Sequence, residues 1–396
     1  MLRESVCVVG GCGHVGLPLA LAFARAGVRT VSYDINEETV REVNEGRMPF
    51  DEPQGPEVLR EVLASGRFAA SSDSTVVSDA EFVVVVIGTP VDEHLNPHTS
   101  AVPDAVESLI PFLNPSQVLV LRSTVYPGTT GLVEKRLSSR GASVPVTFCP
   151  ERIAEGRAFE ELYSLPQIVS GRSPEAVDRV STLFSLLTND IVVTTPEEAE
   201  LAKLFTNTWR YIKFAAANQF FMIANEHGID FERVRHAITH DYPRAKDMPG
   251  AGFAAGPCLF KDTMQLAAFN NNNFFLGHAS MMVNEGLPLY LVDRMDRRFD
   301  LVDKRIGILG MAFKAESDDI RSSLSYKLKR ILKFRAAGVL CHDPLVTVDP
   351  DLVDFETVVR DSDILVIGTP HRMYRDLKTD KPVVDVWNVL GNGVAT

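Results

Sequence analysis

Residues 6–27, "VCVVGGCGHVGLPLALAFARAG", begin as a β-branched apolar run, break at a cluster of glycines and continue as a leucine- and alanine-rich stretch. Gly11, Gly13 and Gly16 stand in the spacing G-x-G-x-x-G. Alone, that spacing is a weak signal. Here a strand precedes it, a helix follows it, and Asp34 ends the next apolar run, "RTVSYD". This is the context of a βαβ dinucleotide fingerprint. Gly11 is expected to permit the tight turn, Gly13 to let the backbone approach a pyrophosphate, and Gly16 to let the helix pack on the sheet. The helix N-terminus then offers N–H groups to the anion. His14 and Val15 belong to the same cofactor-facing turn, and His14 reads as a turn residue rather than a catalytic one. Asp34 would accept hydrogen bonds from ribose hydroxyls and repel a 2′-phosphate, which favours NAD over NADP. The alternative is a glycine turn that holds no ligand.

The same alternation continues outward. "EETVREVNEG" (37–46) reads as a helix, while "FVVVVIGTP" (82–90) and "QVLVLRSTV" (117–125) are continuous apolar strands of the kind a parallel sheet buries on both faces. Ligands bind such sheets at the carboxyl ends of the strands, so Thr89 and Thr124 are candidates for the nicotinamide side. Either threonine could equally cap a turn. From about Pro196 to Phe299 the β-branched runs vanish and helical stretches dominate, including "PEEAELAKLFTNTWRYIKFAAANQFFMIANEHG" and a later helix from near Phe274 toward Arg298. After Asp300 the strand–helix alternation returns. "VVIGTP" at 85–90 is echoed by "LVIGTP" at 365–370, and "SYD" by "CHD". The expected fold is α/β: two Rossmann-like doubly wound parallel-sheet domains, residues 1–195 and 300–396, joined by a central helical domain, residues 196–299.

Bulk properties narrow the function. A chain of 396 residues needs more than one core. No apolar run approaches the roughly 20 residues that span a bilayer, and the N-terminus lacks a signal-peptide pattern, so no membrane partner and a cytoplasmic location are expected. The net charge of −12 argues against a nucleic-acid partner. It leaves room for a small anionic ligand held by local positive groups. The five cysteines are scattered, odd in number and without a CxxC pair, so neither a metal site nor a disulfide framework is expected.

The chemistry concentrates in three short segments with polar residues four apart. They are Glu151 and Glu155 in "CPERIAEG", Lys203 and Asn207 in "AKLFTN", and Cys258 and Asp262 in "CLFKD". On a helix, residues four apart share a face. Each segment also has an ordinary reading: a solvated turn for the glutamates, a surface pair for Glu200 and Lys203, a buried thiol for Cys258. A metal ligand and a covalent nucleophile remain the other readings of Cys258.

Taken in order, "STVYPGTT", "CPERIAEG", "ELAKLFTNTWR", "GFAAGPCLFKD" and "GMAFKAESDDIRSS", following the Rossmann head, resemble the UDP-glucose/GDP-mannose dehydrogenase family over essentially the whole chain. The resemblance implies an NAD-dependent enzyme that oxidises a sugar primary alcohol to a carboxylate, consuming two NAD per sugar. Cys258 would hold the half-oxidised sugar as a thiohemiacetal and then a thioester. Lys203 and Asn207 would stabilise the developing oxyanion. Asp262 would hold or activate a water, Thr124 would orient a water near C6, and Glu151 is the candidate base at hydrolysis, with Glu155 behind it. Glu155, Lys261 and Arg321 are implied on the cofactor side. Glu151, Arg152, Lys203, Asn207, Arg210, Phe313 and Lys314 are implied on the UDP-sugar side. Arg244, in "YPRAKDMPG", matches a family arginine that reaches the sugar from a neighbouring subunit, which implies a homodimer.

The chain departs from the family at Ala254 and Ala255, where glycines are expected before the cysteine; the added methyls could crowd the backbone or reshape the sugar pocket. Arg152 after "PE", where the UDP-glucose branch more often has Phe, points toward UDP-N-acetylmannosamine or UDP-N-acetylglucosamine, with UDP-glucose as runner-up. A two-electron hydroxyacid dehydrogenase would need neither the cysteine nor the second Rossmann-like tail. An inactive nucleotide-binding homologue draws its support from the two alanines.

Overall fold

The computed structural model describes residues 5–89 and 98–393. Pro90, which closes the first of the two repeated hexamers, lies outside them. The chain divides into two compact units, residues 1–205 and 206–396.

The first unit is built on eight strands: β1 Ser5–Val9, β2 Arg29–Tyr33, β3 Phe68–Ser71, β4 Phe82–Val85, β5 Val118–Leu121, β6 Val146–Phe148, β7 Gln167–Gly171 and β8 Ile191–Thr194. Their order is β3-β2-β1-β4-β5-β6-β7-β8. The central strand shows why its sequence is apolar throughout. Val6 and Val8 face a core completed by Leu17, Leu21 and Phe23 of the helix Gly16–Arg25. Cys7 and Val9 face a second core with Val102, Val106 and Val133. With helices on both faces, neither side of the strand meets water. The order reverses at β1, whose neighbours are β2 and β4, so a crevice is expected at the carboxyl ends of β1 and β4.

The doubly wound α/β class expected from sequence is present, with one difference. Strands β1 to β6 pair in parallel, but β7 pairs antiparallel to β6, with Thr147 opposite Gly171, and β8 follows β7 in parallel. The connection through the seven-residue helix Ala158–Ser164 turns the chain back.

In the second unit, β9 Arg305–Leu309, β10 Gly338–His342, β11 Ile364–Ile367 and β12 Val383–Val384 form a fully parallel sheet in the order β10-β9-β11-β12. The helices preceding it in the chain share its core. Leu287, Leu291 and Met295 of the helix Phe275–Phe299 cluster with Ile306, Ile308 and with Leu328 of the helix Leu324–Leu332. Pro288 lies inside the helix Phe275–Phe299 without ending it. The helix Pro196–Glu226, 31 residues long, carries both Lys203 and Asn207. Among the described residues no helix is long and apolar enough to cross a membrane.

Candidate active site

The glycine turn follows β1. Gly10 holds the left-handed φ of +74°, so the sharp turn falls one residue before Gly11. A side chain at Gly16 would meet the Gly10 carbonyl at 2.4 Å, which fixes the helix close to the turn. At Gly13 a Cβ would meet nothing nearer than 3.8 Å. No atom of the described residues demands that glycine, so the cradle it leaves there is open to a ligand. The helix Gly16–Arg25 has no side-chain cap and no acid in its first turn, leaving N–H groups for an anion. Asp34 is partly exposed; its Oδ2 accepts from the Cys12 N–H and its Oδ1 from that of Asn36, each at 3.1 Å. His14 stacks on Phe50, centroids 4.2 Å apart. These residues fit an NAD pyrophosphate and ribose.

At the ends of β4 and β5, Thr89 Oγ1 donates to the Thr124 carbonyl at 2.7 Å, and the Ile87 N–H donates to Ser123 Oγ at 2.8 Å. The segment after β6 is not helical, so the spacing of Glu151 and Glu155 does not give them a common face. Glu151 is buried. Its Oε2 accepts from Arg122 Nε at 2.8 Å and from Nη2, while Oε1 accepts from the N–H groups of Arg152 (2.6 Å) and Ile153 (2.9 Å). Arg122 is itself 2% exposed, bonds the Cys149 carbonyl and Gln167, and lies 4.9 Å from the Phe184 ring. With both oxygens so engaged, Glu151 holds its own loop. Arg152 Nη2 donates to the Pro166 carbonyl, and Glu155 is partly buried in the following turn.

Polar residues on the buried stripe of the helix Pro196–Glu226 are the strongest sign of function. Glu200 is 1% exposed and accepts from the N–H groups of Gly128 and Thr130 and from the Thr130 hydroxyl, so it is an anchor rather than half of a surface pair. Lys203 and Asn207, one turn apart, are both buried. Arg210 is exposed. Asn207 Nδ2 donates to Asp262 Oδ2 at 2.5 Å. Asp262 is wholly buried, its Oδ1 without a hydrogen bond and 3.5 Å from Lys261 Nζ.

Asp262 sits in the first turn of the helix Leu259–Phe269, and Cys258 is its N-cap; the Asp262 N–H donates to the Cys258 carbonyl at 2.9 Å. Cys258 is exposed, whereas Cys7, Cys12, Cys149 and Cys341 are buried. Burial pushes the thiols of Cys7, Cys12 and Cys149 up to about 12 and that of Cys341 up to about 11. Such thiols stay neutral and inert. Among the described residues no His/Cys/Asp/Glu group could hold a metal ion.

The loop leading to Cys258 is fixed by residues the sequence reading did not single out. Asn218 is fully buried; its amide accepts the Gly252 N–H (2.9 Å) and donates to the Gly252 carbonyl (3.0 Å) and to Asn284 Oδ1 (2.9 Å). Asn284 passes the chain of bonds to the Tyr211 carbonyl. Gly256, with φ of +101°, donates its N–H to the Ser322 carbonyl, and any side chain there would strike Phe313 at 2.6 Å. Ala254 and Ala255 both avoid positive φ. The Ala254 methyl packs with Tyr211 and Leu259, and Ala255 packs against the core of the second unit. The two methyls therefore fill apolar space rather than crowd the backbone. Beyond β9, Lys314 Nζ lies 5.4 Å from the Phe313 ring, and the exposed Arg321 pairs with Asp319. Arg244 is exposed, its guanidinium 5.3 Å from the Tyr242 ring.

Three family models match the chain. They are the NAD binding domain of the UDP-glucose/GDP-mannose dehydrogenase family over residues 4–188, its central domain over 197–285 and its UDP binding domain over 307–392. The chain is 30% identical to the UDP-N-acetyl-D-mannosamine dehydrogenase of Pyrococcus horikoshii, over 96% of this chain and 94% of that one. The chain belongs to this family. It is an NAD-dependent nucleotide-sugar dehydrogenase. Two solved structures resemble it at TM-score 0.90. One is a UDP-glucose dehydrogenase from Pyrobaculum islandicum, 28% identical, covering 97% of this chain and 94% of that one. The other is a UDP-D-ManNAc dehydrogenase from Pyrococcus horikoshii, 26% identical, covering 98% and 96%.

In this dehydrogenase the segment 47–54 also went unread in the sequence. Besides Phe50, it carries Glu52, which is 2% exposed and accepts from the N–H groups of Gly156 and Ala158, each at 2.8 Å. Short, patternless loops hide such anchors from periodicity.

Proposed function

We propose that the enzyme oxidises the C6 primary alcohol of a UDP-N-acetylhexosamine, UDP-N-acetylmannosamine or UDP-N-acetylglucosamine, to the uronic acid, in two oxidations at one carbon, as a precursor for polysaccharide assembly. The observation that carries the reading is Cys258: an exposed thiol at the head of a helix whose first turn holds the buried Asp262, bonded to Asn207 of the helix Pro196–Glu226. The name of the Pyrococcus relative supports the N-acetylhexosamine substrate. The Pyrobaculum structure favours UDP-glucose as the second reading.

NAD, when bound, accepts the hydride from C6 at each oxidation. Gly11, Gly13, His14, Val15 and Gly16 would cradle its pyrophosphate, and Asp34 its ribose. Thr89, Thr124 and Glu155 would complete its surroundings. Cys258 adds to the C6 aldehyde as a thiohemiacetal, so the half-oxidised sugar stays attached; the second oxidation leaves a thioester, and water cleaves it to the carboxylate and the thiol. Lys203 supplies a charge and Asn207 an amide donor to the oxygen that gains negative charge. Asp262, with an oxygen unoccupied by hydrogen bonds, takes the proton of the attacking water. Glu151 contributes by holding its loop, which carries Arg152 and Glu155. Phe313 and Lys314, with Arg210, meet the UDP-sugar.

The working form is a cytoplasmic homodimer in which Arg244 reaches the partner's sugar. Trp209, Ile223, Leu276 and Met282, apolar side chains more than half exposed on helices of the second unit, support it as surface a second copy would cover. The test is a panel of UDP-sugars with NAD, following NADH formed per sugar consumed. Turnover of a UDP-N-acetylhexosamine in preference to UDP-glucose, with two NADH per sugar, is expected. Preference for UDP-glucose would move the assignment to the second reading, and one NADH would defeat the covalent scheme.

A further inference from the structure

The two sheets end a strand in the same way, with Asp34 after β2 and Asp343 after β10, yet they use the two acids differently. Asp34 is partly exposed and takes two backbone N–H groups. Asp343 is turned inward, 7% exposed. Its Oδ2 accepts from the N–H groups of Met311 (2.6 Å) and Ala312 (2.9 Å) and lies 3.2 Å from His371 Nε2. Its Oδ1 accepts from the N–H groups of Leu345 (2.9 Å) and Val346 (3.1 Å). Burial alone would raise this carboxyl, but the His371 bond and the backbone N–H groups outweigh it and hold Asp343 at about 2.

His371 is 1% exposed, and its Nδ1 accepts the Glu316 N–H at 3.1 Å. With Nδ1 an acceptor, the ring proton belongs on Nε2, which donates to Asp343. The acid and the imidazole thus grip both ends of the loop Gly310–Glu316. That loop needs gripping. Gly310 and Glu316 both have left-handed φ, +96° and +53°, and Glu316 is not a glycine. Thr369 Oγ1 adds a bond to the Ala312 carbonyl at 2.6 Å. Phe313 and Lys314 lie at the centre of the gripped span.

We propose that Asp343 and His371 are positioning residues for the UDP-sugar. The acid that faces a ribose in the NAD fingerprint has become, in the tail, half of a clamp that sets the loop bearing Phe313 and Lys314. This inference rests on the reading that Phe313 and Lys314 meet the nucleotide.

The experiment measures binding of UDP and, separately, of NAD to full-length variants by calorimetry, with kcat and KM for the sugar. NAD binding serves as the control for folding. Lys314→Ala tests the loop's contact with UDP. Asp343→Asn removes the charge from the clamp. His371→Gln places an amide N–H near the Nε2 position, keeping the Asp343 bond but dropping the one from the Glu316 N–H; His371→Asn places an amide oxygen near Nδ1, keeping the Glu316 bond and losing the one to Asp343. Asp343→Asn and His371→Asn are expected to weaken UDP binding and raise the sugar KM by about tenfold or more. NAD affinity and kcat should hold, and His371→Gln, which frees the Glu316 end, should weaken UDP binding as well. If Lys314→Ala binds UDP normally, the loop reading fails. If Lys314→Ala weakens UDP while Asp343→Asn and His371→Asn do not, the clamp is refuted. Should Asp343→Asn lose NAD binding through misfolding, the two His371 variants still decide, and wild-type UDP affinity in both refutes it.

Discussion

Asp262→Asn separates chemistry from architecture, because the substitution changes charge and almost nothing else. Asp262 is wholly buried, with Asn207 on one oxygen at 2.5 Å and Lys261 3.5 Å from the other. The new amide can keep its oxygen toward Asn207, so that bond survives. What is lost is attraction to Lys261, about 5 kcal/mol at an effective dielectric of 20. Against this stands the cost of burying a carboxylate, several kcal/mol, which the neutral amide no longer bears. The two nearly cancel, so stability should change by no more than about 2 kcal/mol. Turnover should fall about 100- to 10,000-fold if the carboxylate takes a proton from water, equal to about 3–5 kcal/mol on the barrier. The assay pairs urea unfolding and NAD titration with steady-state NADH formation. A variant that folds, binds NAD and retains near-wild-type kcat would refute the role given to Asp262. Parallel loss of stability, NAD binding and turnover would make Asp262 structural.

Other consequences can be measured directly. Asn218→Ala strands the Gly252 N–H, the Gly252 carbonyl and Asn284 Oδ1 in the core, so urea unfolding should show a loss of about 3 kcal/mol or more, and kcat should fall while NAD affinity holds; an unchanged kcat would detach this amide from the cysteine loop. Iodoacetamide at pH 8 should modify one thiol per folded chain, Cys258, since the other four are buried and held neutral; rapid labelling of two or more by mass spectrometry would contradict the burial pattern. Asp343, held at about 2 against an ordinary 3.8, contributes stability that is fully present above about pH 4 and lost as pH falls toward 2. That contribution is about 2 kcal/mol, so acid unfolding of Asp343→Asn should lose part of the wild-type dependence in this window, and an identical profile would argue against it.

The sequence exposes the parts of the fold whose physics is periodic. Strands β4, β5 and β11, buried on both faces, read as unbroken apolar runs, β1 and β9 read nearly so after their polar first residues, and the helix Pro196–Glu226 reads almost to its ends. What stays hidden is short or mixed. The strand β3 is "FAAS", with no β-branched residue, β6 has three residues, and β8 exposes Val192 and Val193. Their apolar signal is too brief to set a period, so the antiparallel step at β7 is not legible either. In the site, motif order locates Cys258, Asp262, Lys203 and Asn207. It does not reveal that Arg122 occupies Glu151, because a pair 29 residues apart depends on strands β5 and β6 lying side by side. Nor does it reveal Asn218 or Glu52, whose bonds go mainly to backbone and leave no pattern in side-chain chemistry.

A single rapid-quench experiment bears most directly on the covalent scheme. Enzyme, NAD and UDP-N-acetylmannosamine would be mixed, stopped in acid during turnover, digested and weighed by mass spectrometry. The account predicts a sugar-acyl adduct on the peptide spanning residues 250–263, attached at Cys258, and no adduct with Cys258→Ser, which should still bind NAD. Turnover to the uronic acid with no modified cysteine, or with undiminished rate in Cys258→Ser, would contradict it.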